Sequence, residues 1–351
     1  MGKKRFIDSH IHINEWLTRK NRSYIEGLDE LQKGCNADGV CICALTYDFD
    51  VVAQNLMAAI YKLHNPTAYA YGAFIYPKIP VKAEDMAGMD VLTQYKELMQ
   101  IGFDGLKLFE NKPYVEKALA CPIDSEFYEP FFAQAEKDKT PTVWHVADPK
   151  RNWDERYRQE LNKWFCDETF LKHEDFYKRV YAVLDKHPAL VATFAHFFFL
   201  SEDLKELERI FSKYENVAVD VTPGTEMYAV FNENKEKISA FFEKYSDRLL
   251  FGTDCWPDES NTFTLSSAVY GVITGEAQAG DIWGVQAEGL QLSEETQDKI
   301  LYGNFYRRNG APKKINRDAL IKYAKKYLPY IESERARSEI VEYLHLDSKS
   351  E

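Results

Sequence analysis

The run Phe6-Ile7-Asp8-Ser9-His10-Ile11-His12 carries two imidazoles two residues apart. On a β-strand, side chains alternate between faces, so His10 and His12 point the same way. Three further polar residues close short apolar runs: His145 in Thr-Val-Trp-His, His196 in Thr-Phe-Ala-His and Asp254 in Gly-Thr-Asp. Neutral imidazoles and a carboxylate brought to one point suit Zn²⁺ or a related first-row ion. Each fragment alone has a plainer reading. A lone histidine at a strand end is more often a satisfied core residue than a ligand, and Asp254 in Gly-Thr-Asp could simply cap a loop. Together they point to one site, provided the elements that carry them converge.

Those elements alternate. Short β-rich runs fall at 5–10, 40–45, 68–74, 103–109, 141–145, 190–196, 216–222 and 248–254. Helix-like amphipathic patterns follow at 24–37, 49–64, 90–101, 126–138, 176–187, 203–214, 235–245 and 293–308, and Pro66 and Pro188 stand just beyond two of the expected stops. Strand–helix alternation implies βαβ units and a parallel sheet, and eight units imply an α/β fold closed as a (β/α)8 TIM barrel. His10, His12, His145, His196 and Asp254 then all reach the C-terminal mouth, where barrels do their chemistry.

A plain barrel needs about 250 residues, and this chain has 351. The surplus is expected as insertions after strand 5 (147–174) and strand 8 (255–292), both candidate lids, and as a C-terminal helical extension. The expected division is a metal-dependent barrel over 1–315 and a helical extension with a disordered tail over 316–351. Apolar residues at 45% and charged residues at 28% fit a globular chain with a sizeable core. The net charge of −12 argues against a nucleic-acid surface. No run approaches the roughly 18 apolar residues of a membrane span, and no secretory leader is expected from the basic start. The six cysteines show no paired spacing, so reduced thiols and a cytoplasmic setting are expected.

The motif Asp8-Ser9-His10-Ile11-His12, the isolated His145 and His196, Gly252-Thr253-Asp254 with Pro257, and Tyr302-Gly303-Asn304 together resemble the amidohydrolase superfamily, in its amidohydrolase-related branch. That branch includes pyrone-dicarboxylate lactonases and aminocarboxymuconate-semialdehyde decarboxylase-like enzymes. The resemblance spans most of 5–309. It implies that His10, His12, His145 and Asp254 bind the metal and that His196 is a nearby acid/base or oxyanion-polarising group. Two positions depart from the pattern. Phe197-Phe198-Phe199 stands where many relatives have small glycines, and Lys107 stands where some binuclear relatives carry a carboxylated, metal-bridging lysine. One ion and an unmodified Lys107 that meets a substrate carboxylate are the expectation.

The expected activity is hydrolysis of a small lactone or amide, with Asp254 as general base for a metal-activated water and His196 assisting. The alternative is a non-oxidative decarboxylase of an aromatic or unsaturated acid; a non-catalytic metal-binding barrel is the third reading. The cofactor is one divalent ion, Zn²⁺ first, with Mn²⁺ or Fe²⁺ as alternatives. Lys107, Arg151, Trp153 and Trp256 are candidates for binding a small carboxylated substrate, Cys255 for lining the site and Asp220 for orienting a ligand. His64 and His187 suit last helical turns, and His173 and His345 read as residues in polar surroundings. Nucleic acid and membrane are not expected partners; a homodimer through the C-terminal helix is.

Overall fold

The computed structural model describes residues 4–13, 23–46, 50–77, 80–81, 86, 88–119, 121–257 and 261–346. Eight parallel strands run in sequence order: β1 (Ile7–Ile11), β2 (Gly39–Cys43), β3 (Tyr69–Gly72), β4 (Gly105–Asn111), β5 (Thr142–Val146), β6 (Ala192–Phe194), β7 (Val217–Asp220) and β8 (Leu249–Leu250). The ring is joined where β8 runs on beside β1. Ser9 N–H donates to Phe251 O at 3.0 Å, Asp254 N–H to His10 O at 2.9 Å and His12 N–H to Cys255 O at 2.9 Å. All eight expected strands are present, and the fold is the expected TIM barrel.

Period-two alternation explains the layers. Cys41, Cys43, Tyr69, Tyr71, Val143, Ala218 and Leu250 fill the barrel interior with Phe305. Their strand neighbours, such as Val40, Ile42, Ala70 and Leu106, pack outward against the helices. The helices start and stop where side chains satisfy their ends. Ser23 and Glu26 form a capping box at the helix Tyr24–Cys35, which ends on left-handed Asn36. Asp90 caps Val91–Ile101, and Gly102 takes the left-handed φ of +110° at its end.

The structure departs from the expected elements in several places. Helices also form at Pro113–Ala118, Met227–Glu233 and Thr262–Thr274. The insertion after β8 is therefore not a plain loop: it holds Thr262–Thr274 and the hairpin of β9 (Gly280–Ile282) and β10 (Val285–Ala287). Thr262–Thr274 is rich in Thr, Ser, Val and Gly, which weakens its local helix signal; burial of Leu265, Val269, Val272 and Ile273 holds it. The helix expected at 176–187 begins earlier, at His173. Phe49, the expected start of a second helix, and the expected disordered end at 347–351 lie outside the described residues.

The C-terminal helices Arg317–Tyr327 and Glu334–Leu344 pack on Val51–His64 and Val91–Ile101. Leu320, Ala324 and Ile340 join the main core there. All six cysteines are free thiols. Among the described residues no helix is long and apolar enough to cross a membrane.

Candidate functional site

His10 and His12 lie at the C-terminal end of β1, both fully inside, with ring centroids 4.9 Å apart. Their outer nitrogens are held by other strands. His10 Nδ1 donates to Asp220 Oδ2 from the end of β7 at 2.9 Å, and His12 Nδ1 donates to the Cys43 carbonyl from β2 at 2.7 Å. A carboxylate and a carbonyl only accept, so both imidazoles keep Nε2 unprotonated; that of His12 faces Asp254, and that of His10 also accepts from Lys107 Nζ at 2.8 Å. Asp254 faces them from beyond β8, held in a left-handed conformation of φ +61° that aspartate tolerates better than most residues. Gly252 lets this backbone close on β1, since a Cβ there would meet Thr222 Oγ1 at 2.6 Å and His10 Cβ at 3.0 Å. Asp8 ties the two ends together through the Thr253 N–H at 3.2 Å and hydroxyl at 2.6 Å.

Asp254 Oδ1 is 2.9 Å from His12 Nε2 and 3.8 Å from His10 Nε2. Two acceptor atoms this close repel unless a proton or a metal cation lies between them. Donors on a tetrahedral Zn²⁺ sit about 3.4 Å apart, from Zn–ligand lengths near 2.1 Å, and the two distances straddle that value. Among the described residues, His10, His12 and Asp254 are the cluster whose ligand atoms all fall within 4.8 Å of one another. This donor set fits a divalent ion. Burial by itself would raise the Asp254 carboxyl, but the imidazoles around it, His12 first, hold it well below the usual carboxylate range. Burial, with the Lys107 charge beside it, pushes His10 down to about 3, keeping it neutral.

His196 follows β6 and sits beside this cluster. Its Nδ1 donates to Pro223 O at 2.9 Å, its backbone N–H donates to Asp220 Oδ1 at 2.9 Å, and its ring stacks on Phe199. One carboxylate, Asp220, thus orients both His10 and His196. The segment His196-Phe197-Phe198-Phe199 runs through four consecutive left-handed residues with φ of 57°, 55°, 59° and 50°. Left-handed backbone costs an L-residue about 1–2 kcal/mol. Burial of Phe197 and Phe198 offsets this, the latter stacked on Phe194 at 4.0 Å. The three phenylalanines do not all shape the cleft; only Phe199 lines it.

His145, at the end of β5, is oriented differently. Its Nε2 lies 2.9 Å from Asp148 Oδ1 and 3.1 Å from Lys112 Nζ, and burial and the Lys112 charge push its pKa well down. Lys107 is 1% exposed and places Nζ 2.8 Å from His10 Nε2, with burial lowering its pKa.

These groups share a cleft of about 630 Å³ at the barrel mouth, lined in part by His12, Lys107, His145, His196 and Asp254. Both insertions border it, through Arg151 and Trp164 after β5 and through Trp256 and Trp283 after β8. Trp256 also stacks near His12, with ring centroids 4.8 Å apart.

Three sequence expectations are corrected. Trp153 does not line the cleft: its indole N–H donates to Leu171 O and its ring packs on His173 and Phe176, so it anchors the insertion from behind. His173 is half-buried against Trp153 and Tyr177, not in polar surroundings. Cys255 turns away, with Sγ on Thr262 O at 3.4 Å. Lys112, Asp148, Tyr114 and Trp283 line the cleft without having been picked out from sequence. β4 runs two residues past its expected end, which carries the chain on to Lys112.

A profile of the amidohydrolase family matches residues 81–307, about two-thirds of the chain. The chain belongs to the amidohydrolase family. The matched segment contains His145, His196 and Asp254 but starts after His10 and His12, which the barrel closure brings beside Asp254. Family members are enzymes, hydrolases and decarboxylases among them. Among solved structures, the chain is similar to 5-carboxyvanillate decarboxylase from Sphingomonas paucimobilis (12% identity, TM-score 0.52, covering 88% of this chain and 99% of that one). It is similar to a dihydroxybenzoic acid decarboxylase from a Polaromonas species with bound manganese and 2-nitroresorcinol (17%, 0.53, 87% and 96%). It is also similar to a probable 2-pyrone-4,6-dicarboxylic acid hydrolase from Acinetobacter baumannii with citric acid bound (12%, 0.51, 87% and 99%). At these identities the likeness is one of fold. No curated protein sequence matches significantly.

Proposed function

We propose that this amidohydrolase is a metal-dependent hydrolase of a small carboxylated lactone or amide, its divalent ion held by His10, His12, His145 and Asp254. The observation that carries this reading is the bare Nε2 of His12 facing the Asp254 carboxylate at 2.9 Å, with His10 Nε2 turned to the same oxygen. His145 lies outside the 4.8 Å cluster of the other three, and with Nε2 given to Asp148 only its Nδ1 is left to join the ligand set. Three imidazoles and one carboxylate make Zn²⁺ the first choice, with Mn²⁺ or Fe²⁺ as alternatives. When bound, such an ion polarises a carbonyl and lowers the pKa of a bound water toward about 7.

The chain's own groups do the rest. Asp254, held ionised by its surroundings, takes the proton of the attacking water. Because Pro223 O fixes its Nδ1 proton, His196 faces the site with an Nε2 that accepts, and the proton that Asp254 takes from the water is the one returned to the leaving oxygen or nitrogen. The cleft lining carries Lys107, Lys112 and Arg151 against Asp148, Glu160 and Asp254, three cations and three carboxylates. A divalent ion tips that balance to positive, which favours an acidic substrate. Lys107, Arg151 and Trp256 are its expected contacts, and Trp153 is withdrawn from that group.

The second reading is a decarboxylase of an aromatic acid, favoured by the aromatic wall of Phe109, Tyr114, Trp164, Phe199, Trp256 and Trp283. Both readings use the same ion and acid/base pair. Protein purified without chelator is expected to carry one equivalent of a transition metal. Metal-loaded protein is then offered lactones, amides and hydroxybenzoates, with ring opening and CO₂ release measured separately. Carbon dioxide release with no ring opening or amide cleavage replaces the hydrolase with the lyase; metal below about a tenth of an equivalent, with no metal-restorable turnover, removes both.

A further inference from the structure

Trp283 stands at the tip of the β9–β10 hairpin, between the paired residues Ile282 and Val285. It shares the two-residue turn with Gly284, and their φ angles are +52° and +87°. Positive φ at both positions is the type I′ pattern, which asparagine or aspartate followed by glycine makes most easily. A bulky side chain is strained there. The hairpin does not need the indole. Asp281 holds the turn by accepting from the Gly284 N–H and the Gln286 amide, both at 3.2 Å. Asn232 donates to Gln286 O at 2.8 Å and accepts from the Glu288 N–H at 3.0 Å, while Lys235 pairs with the Glu288 carboxylate at 3.1 Å. Ile282 enters the core and Val285 packs on it, whereas Trp283 is 45% exposed. Among the described residues its indole meets no other aromatic ring, cation or hydrogen-bond partner. What it does face is the cleft, whose lining it joins.

Backbone strain of this kind persists where a task retains it. Among the described residues, Asn36, Lys139, Asn162 and His345 take positive φ to end helices. The other non-glycine residues at positive φ are Ala147, His196–Phe199, Asp254 and Trp283. All but the last follow strand ends that carry the candidate site, and Trp283 reaches the same cleft from the far part of the insertion. We infer that Trp283 is a substrate-contact residue, covering the outer, apolar part of the molecule bound at the metal centre, and that its strained turn is retained for this contact. This rests on the cleft being the substrate site of the reading above, but not on which reaction follows. In the free protein the half-exposed indole buries too little to offset the strain. Filling the cleft removes its open face from water, so the stabilisation appears on binding. Ligands long enough to reach the hairpin are therefore preferred over short ones.

The probes are acetate, which fills only the metal centre, and 3-phenylpropanoate, which extends outward from it. Both are titrated into manganese-loaded protein by calorimetry, beside melting curves and size-exclusion chromatography of the same samples. Wild type is expected to bind 3-phenylpropanoate about tenfold or more tighter than acetate, the scale of burying one large apolar side chain. Trp283→Asn gives the turn its preferred Asn-Gly pair, so it should melt at or above wild type. It should nevertheless lose most of the difference between the probes, with acetate and manganese affinity within about threefold. Trp283→Phe, which keeps a ring, should retain most of that difference. A Trp283→Asn chain that melts below wild type gives the indole a packing role and overturns the inference. So does a probe difference that survives the substitution, or a dimeric wild type that the substitution makes monomeric. Wild type that binds acetate but gains nothing from the longer probe also overturns it and leaves the proposed function standing. Binding of neither probe to the metal-loaded wild type counts against the cleft as an acid-binding site, and so against both.

Discussion

At the scale of single residues, the site depends on groups that never touch substrate. Asp220 accepts from His10 Nδ1 and from the His196 backbone, so one carboxylate decides where two imidazoles aim their lone pairs. Asp220→Asn is expected to weaken metal affinity by about 10–100-fold, the usual effect of losing a group that orients a ligand. Asp254→Asn should keep part of its metal through the histidines yet lose about 10²–10⁴ in turnover, as removal of a positioned base does. Metal titration beside turnover separates the two roles. Near-wild-type turnover of Asp254→Asn at saturating metal defeats the proposed mechanism. The His10–His12 spacing and the strand-end positions of His145, His196 and Asp254 were readable because alternation along a strand is a local property. Asp148 and Lys112 were not, because nothing in Asn111-Lys112-Pro113 or Ala147-Asp148-Pro149 says that β4 and β5 bring them together.

Single elements add constraints of their own. β4 puts Lys107 and Phe109 in the cleft and turns Glu110 outward, where it is 2% exposed and accepts from the Tyr76 hydroxyl at 2.9 Å and from the Phe109 N–H at 2.8 Å. Burial raises its carboxyl from the ordinary 4.5 to about 7, against the pull of those bonds. A carboxyl whose folded pKa lies above its unfolded one contributes stability that is complete below the unfolded value and is lost as pH rises through the folded value. Between about pH 5 and 8 the wild type should therefore lose thermal stability. Glu110→Gln, which cannot ionise, should show a flatter slope even if its midpoint is lower throughout. Melting curves at pH 5.5 and 8.5 decide it; an unchanged slope in the variant assigns the effect to other groups. The strands were legible as elements because their apolar, β-rich runs are short and bounded. The helix Thr262–Thr274 was not, because its residues favour it only once Leu265 and Val269 have a core to enter.

At the scale of the whole molecule, the C-terminal helices share the barrel's core. Tyr323 reaches Asn55 through a 3.2 Å hydrogen bond, and Leu320, Ala324, Ile331 and Ile340 are buried against the barrel's outer helices. We expect a chain ending at residue 315 to melt well below the full chain and to aggregate, since it exposes the apolar faces of Val51–His64 and Val91–Ile101. Thermal unfolding and size-exclusion chromatography of the two chains test this. A shortened chain that melts with the full one, unaggregated, makes the segment a separable extension.

Sequence alone determined the strand–helix alternation, the barrel it implies and the face on which five polar residues gather. Each of these follows from contacts within a few residues: side-chain alternation along a strand, capping at helix ends, and a connection rule that keeps every strand pointing the same way. Only the tertiary structure decided which lone pairs are bare, because the groups that fix them come from elsewhere in the chain. Asp220 is 210 residues from His10, and Cys43 is 31 from His12. The same holds for the insertion after β5, where Arg151 faces the cleft and Trp153, two residues on, packs behind it. Both are plausible cleft residues in sequence. Their fates differ because the apolar ring finds Phe176 and His173 to bury against, while the charged guanidinium must stay where water or an anion can reach it.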